Sequence, residues 1–151
     1  MEEPKQIKPK GLADYLEVMS KSVFQTGISW RVVESKWPGI REAFRGFDPV
    51  KVSKLTGEEM EALAQDTRII RNRLKIQAIA GNARRMLELD KEYKGFRNYL
   101  RSKKTYDELT ADLRKQFKFL GDIGSYHFLW VVGEKVPDWE EWSAKHMSKG
   151  R

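Results

Sequence analysis

Helix-start signals recur along this chain, and no convincing alternating strand lies between them. Asp48-Pro49 is a capping residue followed by a proline in the first helical position. Thr56-Gly57-Glu58-Glu59 and Thr105-Tyr106-Asp107-Glu108 both read as capping boxes, and Asp138-Trp139-Glu140-Glu141 opens a last helix in the same way. Ser29 caps a helix expected over Arg31–Lys36, and Pro38 is expected to start another through Ile40 and Phe44. Apolar residues at Leu12, Tyr15, Leu16, Met19, Val23 and Phe24 follow helical spacing. The longest helix is expected over Arg71–Asp90, with Ile76, Ile79, Ala80, Ala83 and Leu87 on one face and Arg73, Lys75, Gln77, Arg84 and Arg85 off it. Shorter helices are expected over Phe96–Arg101 and Ser125–Val132, with a break near Thr110. Many short capped helices imply an all-α fold, a compact helical bundle.

The chain has 151 residues, enough for one domain with a real core. Residues 1–10 read as a flexible basic leader and 11–151 as the single domain. The leader is polar and unlike a signal peptide, and no apolar run approaches the ~20 residues of a membrane span. With no cysteine and only His127 and His146, no metal site or cofactor is expected. These features fit a cytoplasmic protein. The 29 basic residues outnumber 22 acidic ones for a formal charge of +7, which favours a polyanionic partner.

Leu120-Gly121-Asp122-Ile123-Gly124 raises a sharper question. Two glycines bracket one apolar residue between helical stretches. Glycine accepts positive φ and lets another backbone come close. Ile123 is expected to tuck into the core, and the first amides of the next helix, near Ser125, to point outward unpaired. Such amides form a phosphate site that grips a DNA backbone without reading sequence. The candidate phosphate-binding residues are Gly121, Ile123, Gly124 and Ser125, with Lys115 and Lys118 adding charge and the Arg101–Lys104 run nearby. A plain interhelical turn explains the same residues.

Three segments together extend this reading: Phe24-Gln25-Thr26-Gly27-Ile28-Ser29-Trp30, the run from Ile69 to Arg84, and Phe117-Lys118-Phe119-Leu120-Gly121. Over roughly residues 12–138 the chain resembles the 3-methyladenine DNA glycosylase I family of the helix-hairpin-helix glycosylases. The resemblance implies a helix-hairpin-helix motif and cleavage of the N-glycosidic bond of an alkylated base, 3-methyladenine foremost, flipped out of double-stranded DNA. It implies base excision repair by a monomer in the cytoplasm, associated with the nucleoid. It also places Trp30 and Gln25 against the base, with Tyr15 and Phe24 as further wall candidates. A core tryptophan under a helix start is the alternative for Trp30.

The sequence also departs from the family. It carries no His-Asp-x-x-Trp-Gly-like stretch, so the family's pocket tyrosine is expected to be missing. The cysteine and histidine ligands of the family's zinc site are absent as well. Ser22 stands where the family has a base-recognising glutamate. Asp138 is the candidate catalytic carboxylate, stabilising the sugar cation or activating water, while capping of the last helix is its other role. A glycosylase for a different damaged base, and a non-catalytic DNA-binding module, remain alternatives.

Overall fold

The computed structural model describes residues 5–146, which form helices and no strand. The α-helices are α1 (Leu12–Gln25), α2 (Trp30–Ala43), α3 (Pro49–Ser53), α4 (Gly57–Ala64), α5 (Arg73–Glu92), α6 (Phe96–Leu100), α7 (Tyr106–Gln116), α8 (Asp122–Val131) and α9 (Trp139–His146). Helix α5 packs against α1, α3, α4 and α6, and α1 also packs against α8 and α2.

Local chemistry sets most of the starts. Asp48 accepts from the Val50 amide, Thr56 and Glu59 close a reciprocal capping box, and Thr105 accepts from the Glu108 amide. Asn72 caps α5 by accepting from the Lys75 amide, so that helix begins two residues later than its periodicity suggested. Met86 and Leu89 are buried on α5, while Leu87 is only half-buried.

Two expected breaks are absent. Helix α2 runs unbroken through Pro38, which lacks the N–H that would bond the carbonyl four residues back. Trp37 and Ile40, buried on either side of that proline, anchor the helix to the core. Helix α7 likewise continues past Thr110, whose hydroxyl bonds the Asp107 carbonyl without interrupting it. The leader is docked along one end of α8: the Ile7 amide donates to Val131 O at 2.7 Å and Gln6 Nε2 to Trp130 O at 2.9 Å. Residues 1–4 and 147–151 lie outside the described residues.

Aromatic rings fill the space where α1, α2 and the 3₁₀ turn Arg45–Phe47 meet. Phe44 stacks on Phe47 and Trp37 stacks on Phe47, both with centroids 5.4 Å apart. Phe24 meets Phe44 edge-on at 6.0 Å. This cluster fixes the end of α1 against the body of α2, and the turn between them carries Gly27 at φ +77°, a conformation that favours glycine.

Candidate functional site

The α1–α2 corner opens into a cleft of about 700 Å³. Helix α1 contributes Ser22 and Gln25, α2 contributes Trp30 and Glu34, and α8 closes one side with His127. Ser22 and Gln25 are three residues apart and Trp30 and Glu34 four apart, so each pair shares a helix face. A second cleft, of about 760 Å³, lies against the hairpin and is lined by Gly121, Asp122, Ile123 and Gly124. Ser22, Gln25 and His127 line both, so the two clefts adjoin.

The structure therefore brings Trp30, Gln25 and Ser22 together beside the hairpin. It does not bring the other base-wall candidates there. Phe24 is fully buried in the aromatic cluster, and Tyr15 is buried with its ring edge-on to Phe96 at 5.2 Å. Both belong to the core, because Phe24 packs edge-on against Trp37 and Phe44 and Tyr15 packs against Phe96, and neither lines the cleft. Asp138 is exposed and lines neither cleft. Its Oδ2 accepts from the Glu141 amide at 3.2 Å and its carbonyl from the Trp142 amide at 2.9 Å, so it caps α9.

The hairpin differs in detail from its expected form. Helix α8 begins at Asp122, which places Gly124 and Ser125 inside it. The Ser125 amide bonds Gly121 O at 2.8 Å, and the amides ahead of it, at Asp122, Ile123 and Gly124, form the first turn. Neither glycine has positive φ; the left-handed residue is Phe119, at φ +60°. Ile123 does not tuck into the core but stands 44% exposed, near Phe119 at 41%. Starting α8 earlier turns this side chain outward. Lys115 and Lys118 are exposed, and Asp122 is ion-paired with Arg114, which offsets its negative charge. Arg101 pairs with Glu134 at 3.0 Å and Arg73 pairs with Glu61.

Several side chains that shape the site gave no local signal in the sequence. Asn82 of α5, buried, accepts from the Lys118 amide at 2.9 Å and donates to its carbonyl at 3.1 Å, fixing the entry to the hairpin. Lys75, also on α5 and 4% exposed, donates to the carbonyls of Phe24 and Thr26 at the end of α1. Ser22 Oγ reaches Gly124 O at 3.4 Å, tying α1 to the first turn of α8.

His127 packs against the Trp139 ring at 5.6 Å, and burial pushes its pKa below the ordinary histidine value. The folded form therefore holds it neutral near pH 7. A depressed folded pKa makes stability greatest above the unfolded value of about 6.5 and lost as pH falls through the folded value. Wild-type melting temperature should drop between pH 7 and pH 5, and His127→Asn should flatten that drop. A His127→Asn profile parallel to wild type would remove His127 as the cause.

Among the described residues the chain is a small all-α protein whose cleft, bordered by Trp30 and Trp37, adjoins a second cleft at the start of α8. Comparison with known proteins narrows that class. Residues 11–119 match the family model described as methyladenine glycosylase. DNA-3-methyladenine glycosylase 1 of Escherichia coli K12 is 35% identical, covering 72% of this chain and 70% of the relative. DNA-3-methyladenine glycosylase of Haemophilus influenzae is 32% identical over the same shares. A crystal structure of 3-methyladenine DNA glycosylase I superposes with TM-score 0.73 at 29% identity, covering 84% of this chain and 81% of that one. The chain belongs to the methyladenine glycosylase family, whose members are hydrolases. No described helix is long and apolar enough to cross a membrane.

Proposed function

We propose that this protein is a monofunctional DNA glycosylase that removes an alkylated base, 3-methyladenine foremost, from double-stranded DNA as the first step of base excision repair. The observation that carries this reading is the adjacency of the two clefts through Ser22, Gln25 and His127. A DNA backbone held at the start of α8 sets a flipped nucleotide within reach of Trp30. The relatives named above act on the same base, by their names.

The chemistry asks little of the protein. A base methylated at N3 is cationic while attached to the sugar. Breaking the N-glycosidic bond moves the bonding electrons onto the base, which leaves neutral. The sugar carbon, short of electrons, is captured by water, which then loses a proton. The products are free base and an abasic site. The Trp30 face attracts the cationic base, by ~0.5–2 kcal/mol. Gln25 offers hydrogen bonds beside it. No lysine follows the hairpin at Ser125, Tyr126 or His127 to attack the sugar as an amine, so cleavage ends at hydrolysis. The protein acts as a monomer in the cytoplasm, at the nucleoid.

The hairpin holds phosphate through the Asp122, Ile123 and Gly124 amides, a helix N-terminus favouring an anion. Lys115 and Lys118 steepen the salt dependence of binding. The glycines matter for what approaches from outside. A Cβ at Gly121 would meet nothing within 4 Å, and one at Gly124 would meet Leu120 Cδ1 and Ser22 Cβ at an ordinary 3.6 Å.

The test combines release of 3-methyladenine from methylated duplex with these two positions. Wild type should release the base. Gly124→Ala should fold as stably as wild type and Gly121→Val, at the N-cap of α8, should lose about 1 kcal/mol or less, yet each should weaken duplex binding about tenfold, the worth of one hydrogen bond to a charged group. Salt-sensitive binding with no release from any lesion in a single-lesion panel would leave a non-catalytic DNA-binding module instead. Release of other bases but not 3-methyladenine would shift the substrate.

A further inference from the structure

We propose that Glu34 is the anion that holds the cationic base in the cleft, with Lys21 occupying its carboxylate until the base arrives. This rests on the glycosylase reading above. A cationic ligand on an aromatic face gains most when a carboxylate lies beside it, and the cleft offers three: Asp14, Glu17 and Glu34. Asp14 is engaged at the rim, where Oδ2 accepts from the Lys10 amide at 2.8 Å. Glu17 is committed to the scaffold: Oε2 accepts from Trp37 Nε1 at 2.8 Å and from Arg41 Nε at 2.7 Å and Nη2 at 2.5 Å.

Glu34 is different. It lies one turn from Trp30 on the same face of α2, so carboxylate and indole present themselves to one ligand. Its partner is Lys21 Nζ, at 2.9 Å from Oε1 and 2.8 Å from Oε2. That side chain is a flexible stem ending in a point charge, and its ammonium already sits 5.4 Å from the Trp37 ring centroid. When a cationic base takes the Glu34 carboxylate, Lys21 has the Trp37 face as its other seat. One cation replaces another at Glu34, and no bare charge is left in the cleft. Ser22, the neighbour of Lys21 on α1, carries no charge to compete. A neutral adenine gains none of this attraction, so the arrangement selects for the methylated base.

Glu34→Gln keeps the shape and removes the charge. It should lower kcat/KM for 3-methyladenine release about 30-fold, the worth of a strong charge-assisted contact. Binding to duplex carrying a neutral 3-deaza-3-methyladenine should fall far less. Lys21→Met should speed release, because it removes the competing cation. If Glu34→Gln melts early, Glu34→Asp, which keeps the charge, should restore release. The inference is overturned if Glu34→Gln releases base within about twofold of wild type, less than ~0.5 kcal/mol. Equal losses in Lys21→Met and Glu34→Gln, or in Glu34→Asp and Glu34→Gln, would overturn it too, since a merely structural ion pair would behave so. Wild type that binds methylated duplex and releases nothing would remove the glycosylase reading and this inference with it. Wild-type release with an unaffected Glu34→Gln removes the inference alone.

Discussion

Lys75→Met should cost the protein about 3 kcal/mol of stability. Its ammonium belongs to a buried side chain and has no carboxylate partner among the described residues. It is held by two carbonyls, Phe24 O at 3.2 Å and Thr26 O at 2.5 Å. Both lie at the end of α1, where the last carbonyls have no helical donor. Burial pushes the lysine pKa down, the mark of an ammonium that has given up water for these contacts. Methionine matches the length of the stem but donates nothing, so two carbonyls lose a charged donor at once. Each such bond is worth ~1.5–3 kcal/mol, and relief of the ammonium's desolvation returns part of the sum. For a chain of this size the melting temperature should fall by about 10 °C. Base release should suffer too, because the same contacts set the turn that leads to Trp30. A Lys75→Met melting temperature within about 2 °C of wild type, under ~1 kcal/mol, would show that the carbonyls find water instead.

Lys75 also marks where the sequence stops being legible. Its periodicity sets it off the apolar face of α5, as if solvated. What buries it is the end of α1, 49 residues away for Thr26, a contact that no local pattern encodes. Asn82 is the same case, because its partner Lys118 is 36 residues distant. By contrast the starts at Asp48, Thr56 and Thr105 are written in side chains that bond amides two or three residues on, and the structure forms those bonds. Local signals failed where packing outweighed them. Pro38 reads as a start but lies within α2, and Gly121 and Gly124 suggest left-handed backbone that Phe119 adopts instead. The wall of the cleft was only half legible for a related reason. Tyr15, Phe24 and Trp30 all look like apolar helix positions, and core and pocket aromatics share one sequence signature. Only the direction of each face separates them. Glu34 was invisible because a charge on a helix ordinarily means solvent.

Trp30→Ala should lower kcat/KM for 3-methyladenine release by up to about 30-fold, through weaker capture of the cationic base, while leaving the fold nearly as stable as before. The rate follows from the ring's proposed task. Cation–π attraction to a desolvated base reaches ~2 kcal/mol, and each 1.36 kcal/mol is a factor of ten. The stability follows from its place. Trp30 is half-buried at the first position of α2, where its ring borders the cleft. Trp37, two turns on, makes the contrast. It also borders the cleft, but it is 4% exposed and stacks on Phe47. Trp37→Ala should cost about 3–5 kcal/mol of stability by emptying core volume. The kcat/KM for release, measured beside thermal melts, separates the two. Trp30→Phe should recover part of the rate, since it keeps an aromatic face with a weaker quadrupole. A Trp30→Ala protein that melts as early as Trp37→Ala would show Trp30 to be a core tryptophan under a helix start. One that melts normally and releases base at the wild-type rate would place the base elsewhere in the cleft.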